Sequence, residues 1–152
     1  KKRRIKMTDL SMFATQEKAE EGVWFPVKLY GKKLPLAICL YGDDSDAVLR
    51  YNRDRLRKMK VGKNGSAELD SETLEELLDT ADDNVIVRIA GISAYDLKKN
   101  ENIDEPLVLF EKTLGNDTKS YRFLIEKIPA LKQFILEKSG ERTNFLSEKK
   151  ES

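Results

Sequence analysis

The sequence predicts an α+β fold: an N-terminal β-hairpin packed with three to four α-helices, and a mainly helical C-terminal part. Three observations carry this. Two runs rich in β-branched and aromatic residues flank a short connection at Gly31. Apolar residues with helical spacing follow the turn Gly42-Asp43-Asp44-Ser45. A last amphipathic segment begins at Pro129, a residue suited to the first turn of a helix.

Residues 1–20 are mixed and polar, and read as a flexible arm anchored only by Met12 and Phe13. At its end, Thr15–Gly22 has the composition of a short helix closed by glycine. The hairpin strands are Val23–Tyr30 and Leu34–Tyr41. Pro26 and Pro35 lack a ladder donor and belong at an edge or a strand end. Leu36, Ile38 and Leu40 alternate with Ala37, Cys39 and Tyr41, which places the first set on the core. The second set is apolar too, so the other face needs a cover, and Cys39 reads as a small buried hydrophobe.

Gly42 ends the strand, and Asp44 or Ser45 caps a helix that runs to about Lys60. Val48, Tyr51, Arg55 and Met59 form its stripe, with Leu56 beside it. Asp43, Asp44 and Asp46 lack the spacing of a calcium loop and serve the helix start. After a loop at 61–66, Leu74, Leu77, Leu78, Ala81, Val85 and Ile89 keep helical spacing, which predicts a helix to about Ile92. Val85–Ile89 taken alone suits a strand equally well. Residues 93–116 read as a long irregular stretch, with Leu107–Phe110 a short strand or turn. Asp117 or Thr118 opens a helix carrying Tyr121, Leu124 and Ile125. The last helix carries Leu131, Phe134 and Ile135 and stops at Gly140. The charged residues 147–152 read as a disordered tail, leaving 21–146 as a single domain.

Composition narrows the function. With 28 Lys and Arg against 27 Asp and Glu, the net charge is +1, which offers no field for nucleic acid or membrane. There is no histidine, so the usual general base and commonest metal ligand are missing. The single cysteine excludes an intramolecular disulfide and a cysteine zinc site. No nucleophile–base motif is present. These features predict a non-enzymatic binding protein with no catalytic residue, no metal and no cofactor. No apolar run approaches the ~20 residues of a membrane span. The basic opening Lys1–Lys6 is not followed by an apolar stretch, so a cytosolic setting is expected.

The charge is distributed unevenly. Arg50, Arg53, Arg55, Arg57, Lys58, Lys60 and Lys63 face only Asp54, and the segment Glu68–Asp83 is its acidic mirror. Either the two segments are solvated or paired within the chain, or they mediate self-association or partner docking. The candidate partner-binding residues are Arg50, Arg53 and Arg57 on the basic helix, Trp24 and Phe25 on the hairpin, and Arg142, Asn144 and Phe145 near the C-terminus. Trp24 and Phe25 have core packing as their plainer role. For the last three the plainer role is Phe145 packing on the last helix with Asn144 as its cap.

Three segments resemble the tail assembly chaperones of long non-contractile-tailed, lambda-like bacteriophages and prophages. They are Glu21-Gly22-Val23-Trp24-Phe25-Pro26-Val27, then Leu40-Tyr41-Gly42-Asp43-Asp44-Ser45-Asp46 leading into an Arg-rich helix, and Ile128–Ile135 followed by Gly140-Glu141-Arg142-Thr143-Asn144-Phe145-Leu146. The family's Trp-Gly-like element after the second helix is represented by Ala90-Gly91-Ile92-Ser93, without the Trp. The resemblance covers roughly residues 20–146. It implies a protein of the bacterial host cytoplasm that binds the tape measure protein, keeps it soluble, helps recruit tail tube subunits, and is absent from the finished virion. A structural tail-completion or head–tail connector subunit is the alternative.

Overall fold

The computed structural model describes residues 10–61 and 81–146 of the chain. A 3-10 turn at Ser11–Phe13 precedes α1 (Gln16–Glu21), β1 (Val23–Leu29), β2 (Lys32–Leu40) and α2 (Asp46–Val61). Residues 81–86 are helical (α3). They lead to β3 (Ile89–Asp96), β4 (Glu101–Ile103), β5 (Leu107–Leu109) and β6 (Lys112–Leu114). α4 (Thr118–Lys127), α5 (Ala130–Gly140) and a 3-10 turn at Arg142–Phe145 complete the order. The fold is α+β. The expected acidic helix segment around Glu68–Asp79 and the expected tail 147–152 lie outside the described residues.

β1 to β4 form one antiparallel sheet in sequence order, and β5 pairs with β6 separately. The β1–β2 hairpin turns on Tyr30 and Gly31, both at positive φ, the two-residue geometry whose twist matches the strands. Both prolines sit where the missing donor does no harm. Pro26 lies on β1, an edge strand. Pro35 lies in an irregularity: Pro26 pairs with Ala37 and Lys28 with Lys33, so β2 carries extra residues there. Pro35 also precedes Leu36, the first residue to pair with β3.

Leu36, Ile38 and Leu40 are buried on the face expected. α4 and α5 cover that face with Tyr121, Leu124, Ile125, Leu131 and Ile135. α4 is fixed at its start: Asp117 accepts from Ser120 N at 2.7 Å, and Asn116 Oδ1 accepts from Ile92 N at 2.7 Å. On the opposite face, Trp24, Cys39 and Gly91 stand in one row. The Trp24 ring lies over Gly91, where an added Cβ would be 3.5 Å from it. The sheet's own tryptophan therefore supplies part of the cover. Cys39 is buried, which pushes its thiol pKa up and leaves it a packing residue rather than a nucleophile.

The helix expected to reach Ile92 ends at Ile86, and β3 begins at Ile89. A bulge explains the misleading spacing. Cys39 pairs with Gly91 but Leu40 pairs with Ile89, so Ala90 is an extra residue. The bulge lets Ile89 and Ile92, three apart, both face the core beside Leu40 and Ile38. A helix end and a bulged strand thus reproduce a helical stripe. The stretch 93–116, expected to be irregular, contains the end of β3 and all of β4 to β6. These later strands are three residues each, and Leu107–Leu109 is the one short strand the sequence suggested.

In the stretch expected as an arm, α1 is seated through Ala19, which is buried, whereas Phe13 is exposed. Gly42 N donates to Ala19 O at 3.2 Å, and a Cβ on Gly42 would come within 2.9 Å of Ala19 Cβ. α2 starts as expected. Ser45 is buried, and its Oγ accepts from Val48 N at 3.4 Å. Val48 is buried, but every side chain from Arg53 to Arg57 is exposed.

Candidate functional site

The junction from β2 to α2 is the most highly connected polar region described. Its three aspartates are held by different parts of the chain. Asp43 receives the Arg88 guanidinium. Arg88 is 7% exposed and also donates to Ser139 Oγ at 2.9 Å and to Asn84 O at 3.2 Å. Ser139 Oγ donates in turn to Tyr41 O at 2.7 Å. Asp44 receives the Thr15 hydroxyl and the Arg142 guanidinium, with Arg142 Nε at 3.0 Å. Asp46 N donates to Glu20 Oε1, and the Asp46 carboxylate pairs with Arg50 at 3.0 Å. The acidic cluster therefore starts a helix and ties α1, α5 and the C-terminal turn to it.

The C-terminal turn closes over this junction. Phe145 is buried, and its ring meets that of Phe25 edge-on at 6.3 Å between centroids. Asn144 Nδ2 donates to Lys138 O at 3.1 Å, which caps the end of α5. Arg142, Asn144 and Phe145 thus act as a latch within the fold. The Arg142 and Thr15 hydrogen bonds hold the Asp44 carboxyl below the ordinary carboxylate range. A depressed acid stabilises the fold above its unfolded pKa, about 3.9, and the contribution is lost as pH falls through the lower folded value. Arg142→Gln should accordingly lower the melting temperature at neutral pH, with the difference vanishing as acid protonates Asp44. A difference that stays constant down to the folded pKa and below would assign the effect to packing of the Arg142 stem instead.

The remaining sequence-predicted residues are placed apart from this latch. Trp24 is 44% exposed and points to the sheet face opposite its neighbour Phe25. Arg50, Arg53 and Arg57 are exposed on α2. Arg50 pairs with Asp46 of its own helix, and Arg57 stands 4.0 Å from Asp54. Beside these arginines on α2 lie Leu49 and Leu56, both exposed, Leu56 by 60%. Leu49 and Leu56 are two turns apart on one line of α2, with Arg53, Arg57 and Arg50 along one side of it. Leu49 escaped the sequence reading because the stripe through Val48 and Tyr51 already accounted for the helix.

Among the described residues, no group of three or more Cys, Asp or Glu side chains is placed to hold a metal ion. No described helix is long and apolar enough to cross a membrane. No protein-family model, curated protein or solved structure gives a significant match to this chain.

Proposed function

We propose that this protein is a phage tail assembly chaperone: a non-enzymatic module that binds the tape measure protein in the bacterial cytoplasm and helps recruit tail tube subunits. The observation that carries the reading is the meeting of the three segments on which the resemblance rests. Phe25 of the first touches Phe145 of the third. Asp44 of the second pairs with Arg142 of the third, 98 residues along the chain. Segments so far apart in sequence form one structural unit, as elements of a common architecture would.

The α2 stripe supplies the means. A tape measure protein is a long helical chain with apolar stripes that aggregates until the tube encloses it. A helix offering Leu49 and Leu56 alongside Arg50, Arg53 and Arg57 shields such a stripe while its charge keeps the complex in solution. The hairpin residues Leu36 and Ile38 do not take this role, being buried in the core.

Co-expression with this chain should therefore keep the cognate tape measure protein in the soluble fraction. Arg50→Glu, Arg53→Glu and Arg57→Glu combined should abolish that effect with the melting temperature nearly unchanged, because all three side chains are exposed. No gain in tape measure solubility, together with this chain found in purified virions by mass spectrometry, would favour the structural tail-completion or connector subunit.

A further inference from the structure

A second surface is unrelated to the α2 stripe. The β5–β6 hairpin turns on Phe110 and Glu111, at φ 48° and 65°. Leu109 and Lys112 pair on either side, so the turn has two residues. Asn-Gly enters that geometry without strain. A phenylalanine in the left-handed region is a conformational outlier. The strain secures no burial: Phe110 is 70% exposed, and Val108 beside it is exposed as well. Tyr30 stands at the same position of the first hairpin, at φ 54° and exposed too, so what sets Phe110 apart is the groove beside it.

Beside the tip lies an open groove of about 520 Å³, lined by Phe110, Lys112, Phe123, Glu126, Lys127 and Pro129. Two ammonium groups converge on one ring there. Lys112 Nζ is 4.6 Å and Lys127 Nζ 5.6 Å from the Phe123 centroid. Among the described residues, neither lysine has a carboxylate within 4.0 Å. The groove thus has an aromatic floor and a basic rim, with Glu126 its single acid.

We propose that this groove docks an acidic amphipathic helix of a partner protein, which inserts an apolar side chain between Phe110 and Phe123 and sets flanking carboxylates against Lys112 and Lys127. Charge complementarity selects the occupant: two lysines on an aromatic floor, neither in an ion pair among the described residues, favour an acidic helix over a basic one. The proposal does not depend on the tape measure reading, since it uses none of the α2 residues.

The test is fluorescence anisotropy with the full chain and two labelled synthetic peptides. One is amphipathic with a leucine stripe flanked by glutamates; the other carries lysines in place of the glutamates. The glutamate peptide should bind, more weakly as salt screens the rim, and the lysine peptide should not. Lys112→Glu with Lys127→Glu should weaken binding by about tenfold or more. Phe110→Asn with Glu111→Gly should also weaken it by about tenfold, while the melting temperature holds or rises as the turn relaxes. That pairing of a firmer fold with lost binding separates a docking role from a structural one. Equal binding of both peptides, binding of neither, or variants that leave the anisotropy unchanged would overturn the proposal. A dimer in sedimentation velocity that Phe110→Asn with Glu111→Gly dissolves would assign the groove to a second copy and overturn it too.

Discussion

Replacing Phe145 by alanine is expected to destabilise the protein by about 3–5 kcal/mol, the usual range for emptying a buried aromatic site. Phe145 is 1% exposed. Its seat is built from three directions. Gly42 lies beneath it, so close that a Cβ there would come within 3.0 Å of the Phe145 ring. Phe25 meets its edge at an interplanar angle of 65°. Asn144 anchors the turn that carries it. Neither Phe25 nor Gly42 is free to collapse into the void, since one is a strand residue and the other a tight backbone approach. In a chain of this length each kcal/mol moves the melting temperature by about 2–4 °C, so a fall of about 10 °C should be measured. Gly42→Ala approaches the same contact from below and should cost about 1–3 kcal/mol by overpacking. A Phe145→Ala loss under about 1 kcal/mol would mean that the C-terminal turn contributes little to the fold.

Asp43→Ala should cost about 3 kcal/mol, the lower end of the range for stranding a buried charge, because the Asp43 side chain is itself 32% exposed. The loss arises at Arg88 rather than at Asp43. Arg88 is buried between α3, α5 and the junction, and Asp43 is its carboxylate partner. Ser139 and Asn84 accept hydrogen bonds from the guanidinium but carry no charge to offset it. Adding Arg88→Met to Asp43→Ala removes the stranded charge and should recover part of the stability. Urea midpoints of wild type, single and double variants decide this. A double variant no more stable than Asp43→Ala would show that the stranded charge is not the origin of the loss.

Much of the site chemistry depends on partners that no local pattern names. The run Asp43-Asp44-Ser45-Asp46 reads as a helix cap, and Ser45 does cap. Nothing in the run tells that Asp43 meets Arg88, that Asp44 meets Thr15 and Arg142, or that Asp46 N reaches Glu20. Arg142, Asn144 and Phe145 carry both a docking and a packing reading in sequence, because an aromatic near a chain end has equal chemistry in either role. The groove at Phe110 had no signal in turn chemistry, since Phe110-Glu111 is an unusual occupant of a two-residue hairpin.

The sequence by itself determined the α+β class, the first hairpin and its inward face, the start of α2, and the starts of α4 and α5. Each of these follows from a short-range rule: alternation, a glycine or proline, or a capping side chain within a few residues. Tertiary structure alone decided that Ile89 and Ile92 belong to a strand, because the choice rests on the bulge at Ala90 and on β2 offering an unpaired edge. It alone decided that Phe145 is core while Trp24 stays half open and Leu49 and Leu56 face outward. Burial is a property of what arrives on the other side, and the partners here come from residues tens of positions away. A local pattern fixes which way a side chain points along its own element, and long-range packing fixes whether anything meets it there.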